Sequence, residues 1–131
     1  MKFTKLTPNL VVHDVQAAVR FYQSVLGFQP AITVPDSPPY VFAAVTNGAG
    51  VEIFFNEQKA VGQDYPPLAS DPLGGTLTLF LECEGIEEVL QAVDTSGAKI
   101  VMPLKTQIYG MREFAFQDPE GWIITMAERV N

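Results

Sequence analysis

Residues 7–34 read TPNLVVHDVQAAVRFYQSVLGFQPAITV and decide the fold. The apolar run at 10–12 stops before Asp14, whose carboxylate can accept the unpaired backbone N–H groups at the start of a helix. Gly27 can adopt the left-handed conformation that ends a helix, and residues 28–34 return to an apolar, β-branched pattern. Between them, apolar residues recur three and four positions apart, as in a helix with one buried face: Val15, Ala18, Val19, Tyr22, Val25 and Leu26. The stretch therefore predicts a strand, a helix over 14–26 and a second strand.

The second half of the chain repeats this pattern at an offset of 71 residues. The offset lays Thr7 on Thr78 and Val15 on Ile86. Gly97 follows the second helical pattern as a glycine follows the first, although the side chains differ in identity. We therefore expect a second helix over 86–96 and an internal duplication.

The remaining segments complete two modules of the same kind. Asn and Gly residues at 47–50 favour a tight turn between two strands, and a proline and a glycine at 118–121 do the same in the second half. The predicted strands are 2–12, 28–34, 40–46, 51–56, 76–83, 99–102, 111–117 and 122–128, and 103–110 is predicted to be a connection. Each half then has the order β-α-β-β-β. We predict a single α+β domain with module 1 at about 1–57, a linker at about 58–75 and module 2 at about 76–131.

Composition and charge exclude several classes of function. A net charge of −7 argues against binding of nucleic acid, which requires a basic surface. The sequence contains no apolar run of about 18 residues and no leader pattern, so we expect a cytoplasmic protein with no membrane partner. Cys83 is the single cysteine, and its place in an apolar strand indicates a buried, unreactive thiol.

The order of elements, together with two groups of local motifs, resembles the vicinal oxygen chelate superfamily. This superfamily comprises glyoxalases, bleomycin-resistance proteins and extradiol dioxygenases. The resemblance implies two modules with mixed sheets curving around a shared cleft, helices on the convex sides, and a homodimer. The residues that carry it are Asp14-Val15, Phe21-Tyr22, Leu26-Gly27-Phe28, Tyr109-Gly110-Met111-Arg112-Glu113 and Asp118-Pro119-Glu120-Gly121.

The metal enzymes of this superfamily take His, Glu or Gln ligands from the first and last strands of each module. By register, the resemblance places those positions at Thr7, Glu52, Thr78 and Thr125. Only Glu52 is a good ligand, and a catalytic metal ordinarily needs about three nitrogen, sulfur or carboxylate ligands. The lone histidine, His13, lies at a strand-to-helix junction, where capping or exposure is the expected role. We therefore predict no metal and no cofactor.

Strand alternation suggests which side chains line the cleft that the resemblance implies. Glu52 is flanked by apolar residues, so its carboxylate needs a partner, which Arg112 or a cationic ligand could supply. Arg112 and Glu113 must point to opposite faces of their strand, and the sequence does not decide which one faces the cleft. The predicted ligand-binding residues are Asn9, Glu52, Phe54, Thr78, Phe80, Arg112, Trp122 and Thr125.

Three functions are compatible with these features. The favoured interpretation is a metal-free protein of the bleomycin-resistance branch that binds a small hydrophobic or cationic organic compound. The alternative is an enzyme of the glyoxalase or dioxygenase type, acting as a lyase, isomerase or oxygenase, with either an atypical metal site or a metal-free site in which Glu52 is the candidate general base. The third is a structural or partner-binding domain whose cleft has lost its function.

Overall fold

The computed structural model describes residues 1–130, and the chain divides into two compact units, residues 1–71 and 72–131. The division falls inside the segment 58–75 that the sequence marks as a connection. Each unit contains one four-stranded mixed sheet and one long helix, which confirms the predicted α+β fold of two related modules. Among residues 1–130 no helix has the length and apolar character needed to cross a membrane.

The first unit is built on a sheet with the strand order β1-β4-β3-β2. Strand β1 is parallel to β4, whereas the β4-β3 and β3-β2 pairs are antiparallel. Its elements are β1 (Asn9–Val12), α1 (Val15–Leu26), β2 (Gln29–Val34), β3 (Phe42–Thr46), β4 (Glu52–Glu57) and α2 (Gln58–Asp64), followed by a 3-10 turn at Pro66–Leu68.

Helix α1 begins and ends where the sequence predicts. The Asp14 carboxylate accepts a hydrogen bond from the backbone N–H of Ala17 at 3.0 Å, and Gly27 ends the helix with φ at 75°. The Tyr22 ring, fully buried, packs on the Phe55 ring of β4 with 4.9 Å between ring centroids. The apolar face of α1 therefore forms the core of the first unit against its sheet.

The second unit repeats the topology, with the strand order β5-β8-β7-β6. Strand β5 is parallel to β8, and the β8-β7 and β7-β6 pairs are antiparallel. Its elements are β5 (Thr78–Glu82), α3 (Ile86–Ser96), β6 (Ile100–Thr106), β7 (Met111–Gln117) and β8 (Ile123–Arg129). Because strand order and directions match those of the first unit, the structure confirms the duplication that the offset of 71 predicts.

Helix α3 occupies its predicted range, but its first residues are capped differently from those of α1. Its N-cap, Gly85, has φ at 76° and contributes no side chain. The carboxylate of Glu128, on β8, instead accepts a hydrogen bond from the Gly85 N–H. The start of α3 is therefore fixed by a residue 43 positions away, whereas the start of α1 is fixed by its own cap.

Strand β1 is shorter than the predicted 2–12, because only Asn9–Val12 form ladder pairs. Pro8 has no N–H to donate, and its carbonyl accepts from the Phe54 N–H at 2.9 Å. The ladder therefore starts immediately after the proline, and residues 2–8 lie outside it.

Strand β6 is longer than predicted and runs through Pro103 to Thr106, so the first half of the predicted connection 103–110 is wrong. The strand is at the edge of its sheet, where a proline needs no donor on its outer side. Its pairing with β7 shifts between Met102 and Lys105, on either side of the proline. Strand β2, at the corresponding edge of the first sheet, has the same combination of Pro30 and a register shift.

The backbone at Gly74 lies directly against the turn between β7 and β8. Gly74 has φ at 79°, and a Cβ built there would lie 2.4 Å from the carbonyl oxygen of Gly121. A side chain larger than hydrogen is excluded by this contact. The segment before β5 is therefore held against the second sheet through a glycine.

Candidate functional site

Each sheet has one face covered by its helix and one face turned away from it, which we call the distal face. In the first sheet the helix-covered side chains are buried, among them Leu10, Val12, Ile53 and Phe55. Alternation places the intervening residues on the distal face. Ladder pairing sets Asn9 opposite Phe54, and Glu52 lies two residues before Phe54 on the same strand. The structure therefore brings the three predicted first-unit residues together on the distal face.

The polar groups of this first distal face are already satisfied within the protein. Glu52 Oε1 forms an ion pair with Lys5 Nζ, and the lysine side chain is 57% exposed. Asn56 donates a hydrogen bond from Nδ2 to Asn9 Oδ1. The carboxylate that the sequence singled out thus has a counterion from the N-terminal segment of its own unit, and Arg112 does not take that role.

Aromatic side chains accompany these polar groups. Phe54 makes an edge contact with Phe42 of β3, with 5.2 Å between ring centroids and an interplanar angle of 67°. Both rings are partly exposed, and Ile32 and Val34 of β2 are exposed nearby in the ladder. The distal face of the first unit is therefore largely apolar with one ion pair and one amide pair.

In the second unit, Thr78, Phe80 and Thr125 lie together on the distal face. The hydroxyl oxygens of Thr78 and Thr125 are hydrogen-bonded at 2.7 Å. Phe80 stands opposite Thr125 in the ladder and is 53% exposed. These three predicted residues are brought together, and by ladder register Phe80 and Thr125 take the places that Asn9 and Phe54 have in the first sheet.

Arg112 lies on the helix-covered face, so the structure does not bring it together with the other predicted ligand-binding residues of the second unit. Its Nη1 forms an ion pair with Glu87 Oε1 of α3 at 2.6 Å. The next residue, Glu113, consequently points to the distal face. Trp122 lies in the turn before β8, where its backbone N–H donates to Asp118 Oδ1 at 3.0 Å, so it belongs to the turn and not to the ladder of the distal face.

Glu113 is the residue that sequence reasoning left undecided, and its environment is unusual. It is 3% exposed, and its Oε2 accepts a hydrogen bond at 2.7 Å from the hydroxyl of Tyr109, which lies in the turn before β7. This hydrogen bond, together with desolvation and the negative charge of Glu113, raises the pKa of Tyr109. Glu113 stands opposite Ala127 in the ladder, and the sequence carried no signal that would have chosen Glu113 over Arg112 for this face.

Two shallow hollows occupy equivalent places at the ends of the parallel strand pairs. The first, of about 530 Å³, is lined by His13, Glu57, Gln58, Lys59 and Ala69. The second, of about 580 Å³, is lined by Glu82, Cys83, Glu84, Glu128 and Arg129. Burial and then the neighbouring Glu128 charge raise the pKa of the Cys83 thiol, which keeps it protonated. The raised pKa agrees with the unreactive thiol that the sequence predicts, but Cys83 is only partly buried and lines a hollow, because its strand ends there.

The four positions at which the resemblance places metal ligands do not fit a metal ion in this chain, and the ladders set Thr125 at the place of Phe54 and not, as expected from the sequence, of Glu52. Thr78 and Thr125 offer neutral hydroxyls bonded to each other, and Glu52 is held by a lysine. Thr7 lies just before β1 and adds one more hydroxyl. Within residues 1–130, no group of three or more His, Cys, Asp or Glu side chains is arranged to hold a metal. One carboxylate and three hydroxyls are a poor donor set for a catalytic divalent ion.

Comparison with known proteins identifies the family. Residues 5–126 match the family model of the Glyoxalase/Bleomycin resistance protein/Dioxygenase superfamily. An uncharacterized protein of Mycobacterium bovis is 28% identical over 120 residues, covering 88% of this chain and 77% of that protein.

Solved structures share the fold over nearly the whole chain. A superfamily member from Sphaerobacter thermophilus superposes with a TM-score of 0.78 at 21% identity, covering 98% of this chain and 99% of that one. TioX from Micromonospora sp. ML1 superposes with a TM-score of 0.77 at 21% identity, covering 98% of this chain and 100% of that one. At these identities the structural likeness shows the fold alone, whereas the family model matches most of the chain. The chain belongs to the glyoxalase, bleomycin resistance protein and dioxygenase superfamily.

Proposed function

We propose that the protein binds a small organic ligand on the distal faces of its sheets and does so without a catalytic metal. The observation that carries the proposal is the state of the metal-ligand positions. Thr78 and Thr125 are hydrogen-bonded to each other, and Glu52 is ion-paired to Lys5. A metal-dependent reaction would need these positions to present several charged or nitrogen donors to one ion.

The composition of the distal faces supports a binding role. Small-molecule sites are mostly apolar and aromatic, with a few polar groups that orient the ligand. Phe54 and Phe80 supply aromatic surface in the two units, and Phe80 is more than half exposed. The Asn9 amide lies on the distal face of the first unit and the Thr78 hydroxyl on that of the second, where each can form hydrogen bonds with polar atoms of a ligand.

An enzyme that uses Glu52 as a general base has less support. A general base must lie within hydrogen-bond reach of the proton that it removes. One oxygen of the Glu52 carboxylate is already occupied by the Lys5 ammonium, so a substrate proton would have to compete with that ion pair for it. The binding function therefore ranks above the glyoxalase or dioxygenase alternative.

Two measurements on the purified protein test the proposal. Elemental analysis after purification without chelators should find transition metals far below one per chain. A thermal-shift screen of small aromatic and aliphatic compounds should then find compounds that raise the melting temperature, because a ligand that binds only the folded state stabilises it. Stoichiometric zinc, iron, nickel or manganese that is lost in Glu52→Gln would refute the metal-free function, and a screen without any stabilising compound would refute the binding function.

A pair of variants locates the site. Phe80→Ala should reduce the shift given by the best compound, because it removes exposed aromatic surface from the distal face of the second unit. Ile108→Ala is the matched control, because Ile108 is fully exposed in the turn between β6 and β7 and its removal should leave the shift unchanged. Equal effects of the two substitutions would contradict a site on the distal face.

We also propose that the protein is a homodimer, as the superfamily resemblance implies. Several large apolar side chains are exposed in the single chain, including Phe3, Leu6 and Ile32, and such surface is often buried by a partner. Light scattering at tens of micromolar should give twice the chain mass of 14.4 kDa. A mass of one chain at that concentration would contradict the proposal.

A further inference from the structure

Glu113 is a buried carboxylate on the distal face of the second unit. Its side chain accepts a hydrogen bond at Oε2 from Tyr109, and it forms no ion pair with any residue in the described range 1–130. Burying an ionised carboxylate is costly unless a cation or several hydrogen bonds compensate. The Tyr109 hydroxyl is neutral, so it offsets only part of the cost of burying the charged carboxylate. A cationic group on a ligand would offset more of that cost.

Two other carboxylates of the sheets and helices are paired with cations. Glu52 is paired with Lys5, and Glu87, on the exposed side of α3, is paired with Arg112. Lys105 stands opposite Glu113 in the ladder, but it is exposed and forms no ion pair with it. The least exposed of these carboxylates is thus the one without a counterion.

The neighbours of Glu113 on the distal face include two alanines and one exposed tyrosine. Its neighbours on the distal face are small, with Ala127 opposite on β8 and Ala115 two residues along β7. Tyr109, which touches its carboxylate, is 61% exposed and lies in a turn, so its ring can move without disturbing the core. Phe80 lies two strands away on β5 and two residues along from the row of Glu113, which corresponds to about 12 Å at ordinary strand geometry.

We propose that Glu113 is the counterion for a protonated organic amine, whose apolar body extends across the distal face of the second unit towards Phe80. This inference rests on the proposed binding function and names its ligand class. The ammonium N–H groups donate to the Glu113 carboxylate in place of, or beside, the Tyr109 hydroxyl. An anionic ligand is repelled by the same carboxylate, and a neutral alcohol loses the charge-assisted part of the hydrogen bond.

A matched series of probes tests the charge preference at constant ionic strength. Binding of 3-phenylpropylammonium, 3-phenylpropanol and 3-phenylpropanoate to the full chain is measured by NMR titration. The ammonium should bind at least about tenfold more tightly than the alcohol, because hydrogen bonds to charged groups exceed neutral ones by that order. The anion should bind more weakly than either.

Two carboxylate variants locate the preference. Glu113→Gln should weaken binding of the ammonium about tenfold or more and leave the alcohol within about twofold. Glu82→Gln is the matched control, because Glu82 lies on the same distal face opposite Ala127 but is exposed. This control should leave both affinities unchanged.

A third variant acts in the opposite direction and keeps the test valid if Glu113→Gln does not fold. Tyr109→Phe removes the hydroxyl that competes for the carboxylate and keeps the ring, and the exposed position of Tyr109 makes it compatible with folding. The ammonium should bind this variant severalfold more tightly than it binds the unchanged protein. Weaker or equal binding would overturn the assigned role of the tyrosine and the carboxylate.

The outcomes separate this inference from the proposed function. If the alcohol or the anion binds and the ammonium has no advantage, Glu113 is not a counterion, although the binding function stands. The same holds if Glu113→Gln folds and leaves ammonium affinity unchanged. If none of the probes binds and the wider screen also finds no ligand, the proposed function and the inference fail together.

Discussion

Removal of the Glu128 carboxylate should weaken helix α3 specifically at its first turn. The carboxylate accepts a hydrogen bond from the N–H of Gly85, the N-cap residue that has no capping side chain of its own. It therefore binds the N–H of the N-cap residue itself, whereas Asp14 accepts from the N–H of Ala17 inside the first turn of α1. Glu128→Ala leaves the start of α3 without this acceptor and without a negative charge near the positive end of the helix dipole.

The expected loss has two parts. Removing a capping acceptor costs about 1 kcal/mol, and removing a charge beside a helix N-terminus costs about 0.3–1 kcal/mol more. Glu128→Ala should therefore destabilise the protein by about 1–2 kcal/mol, or about 3–8 °C in melting temperature for a chain of this size. Glu128→Gln keeps an acceptor oxygen and loses only the charge, so its cost should stay below about 1 kcal/mol.

The same substitutions should change the reactivity of Cys83. The Glu128 charge is the second cause, after burial, that raises the pKa of the thiol. Either substitution removes that charge, lowers the thiol pKa and increases the thiolate fraction at a given pH. Iodoacetamide should therefore alkylate Cys83 faster in Glu128→Gln than in the unchanged protein under native conditions.

Glu57→Ala is the control for both measurements. The offset of 71 lays Glu57 on Glu128, but the Glu57 side chain makes no capping hydrogen bond. Urea unfolding of the three variants gives the free energies, and mass spectrometry gives the alkylation rates. If Glu128→Ala costs no more than Glu57→Ala, or if the Cys83 rate is the same with and without the Glu128 charge, the assigned role of Glu128 is wrong.

Three further outcomes are expected. Glu113→Gln should lower the pKa of Tyr109 towards the ordinary tyrosine value, because the substitution weakens the hydrogen bond and removes the charge that raise it. The pKa is measured from the NMR shifts of the ring carbons as a function of pH, and an unchanged pKa would contradict this prediction. A Tyr109 pKa that is higher in the folded state than in the unfolded state stabilises the folded protein at lower pH, and this stabilisation is lost as pH rises through the folded-state pKa. The decrease in stability over that pH range should be smaller in Glu113→Gln than in the unchanged protein. Gly74→Ala should lower the free energy of unfolding by about 2 kcal/mol or more, because the new Cβ would sit at a positive φ and overlap the backbone of Gly121. Gly75→Ala is the control and should cost about 0.5 kcal/mol or less, because no atom lies within 4 Å of its new Cβ. Equal urea midpoints for the two variants would contradict this prediction. Glu52→Gln should cost no more than about 1 kcal/mol, because its lysine partner is exposed, and a loss of several kcal/mol in urea unfolding would show a deeper role.

The fold could be predicted because its decisive signals are local. Asp14 and Gly27 fix the ends of α1, and Gly97 ends α3, through hydrogen bonds and backbone angles set within a few residues. The boundaries that failed depend on neighbours distant in sequence. Pro103 is tolerated in β6 because that strand is at a sheet edge, a property of the assembled sheet that the local sequence does not carry.

The site could be predicted only as far as alternation reaches. Alternation correctly grouped Asn9 with Phe54 and Thr78 with Thr125, because neighbouring strands share a register. It could state that Arg112 and Glu113 point to opposite faces, but the choice between them is made by α3, whose glutamate pairs with the arginine. Partners joined through the folded chain, such as the lysine beside Glu52, 47 positions away, leave no periodic pattern in the sequence.

Prolines and register shifts at β2 and β6 protect one edge of each sheet against addition of a strand from another molecule. An edge carries a row of unpaired N–H and C=O groups that can template aggregation. Pro30 and Pro103 each remove a donor from that row, and the irregular pairing beside them bends it away from a straight template. Strands β1 and β5, at the opposite edges, contain no proline. Both sheets therefore have one edge, at β2 or β6, where a proline interrupts the unpaired backbone groups, and one edge, at β1 or β5, where no proline interrupts them.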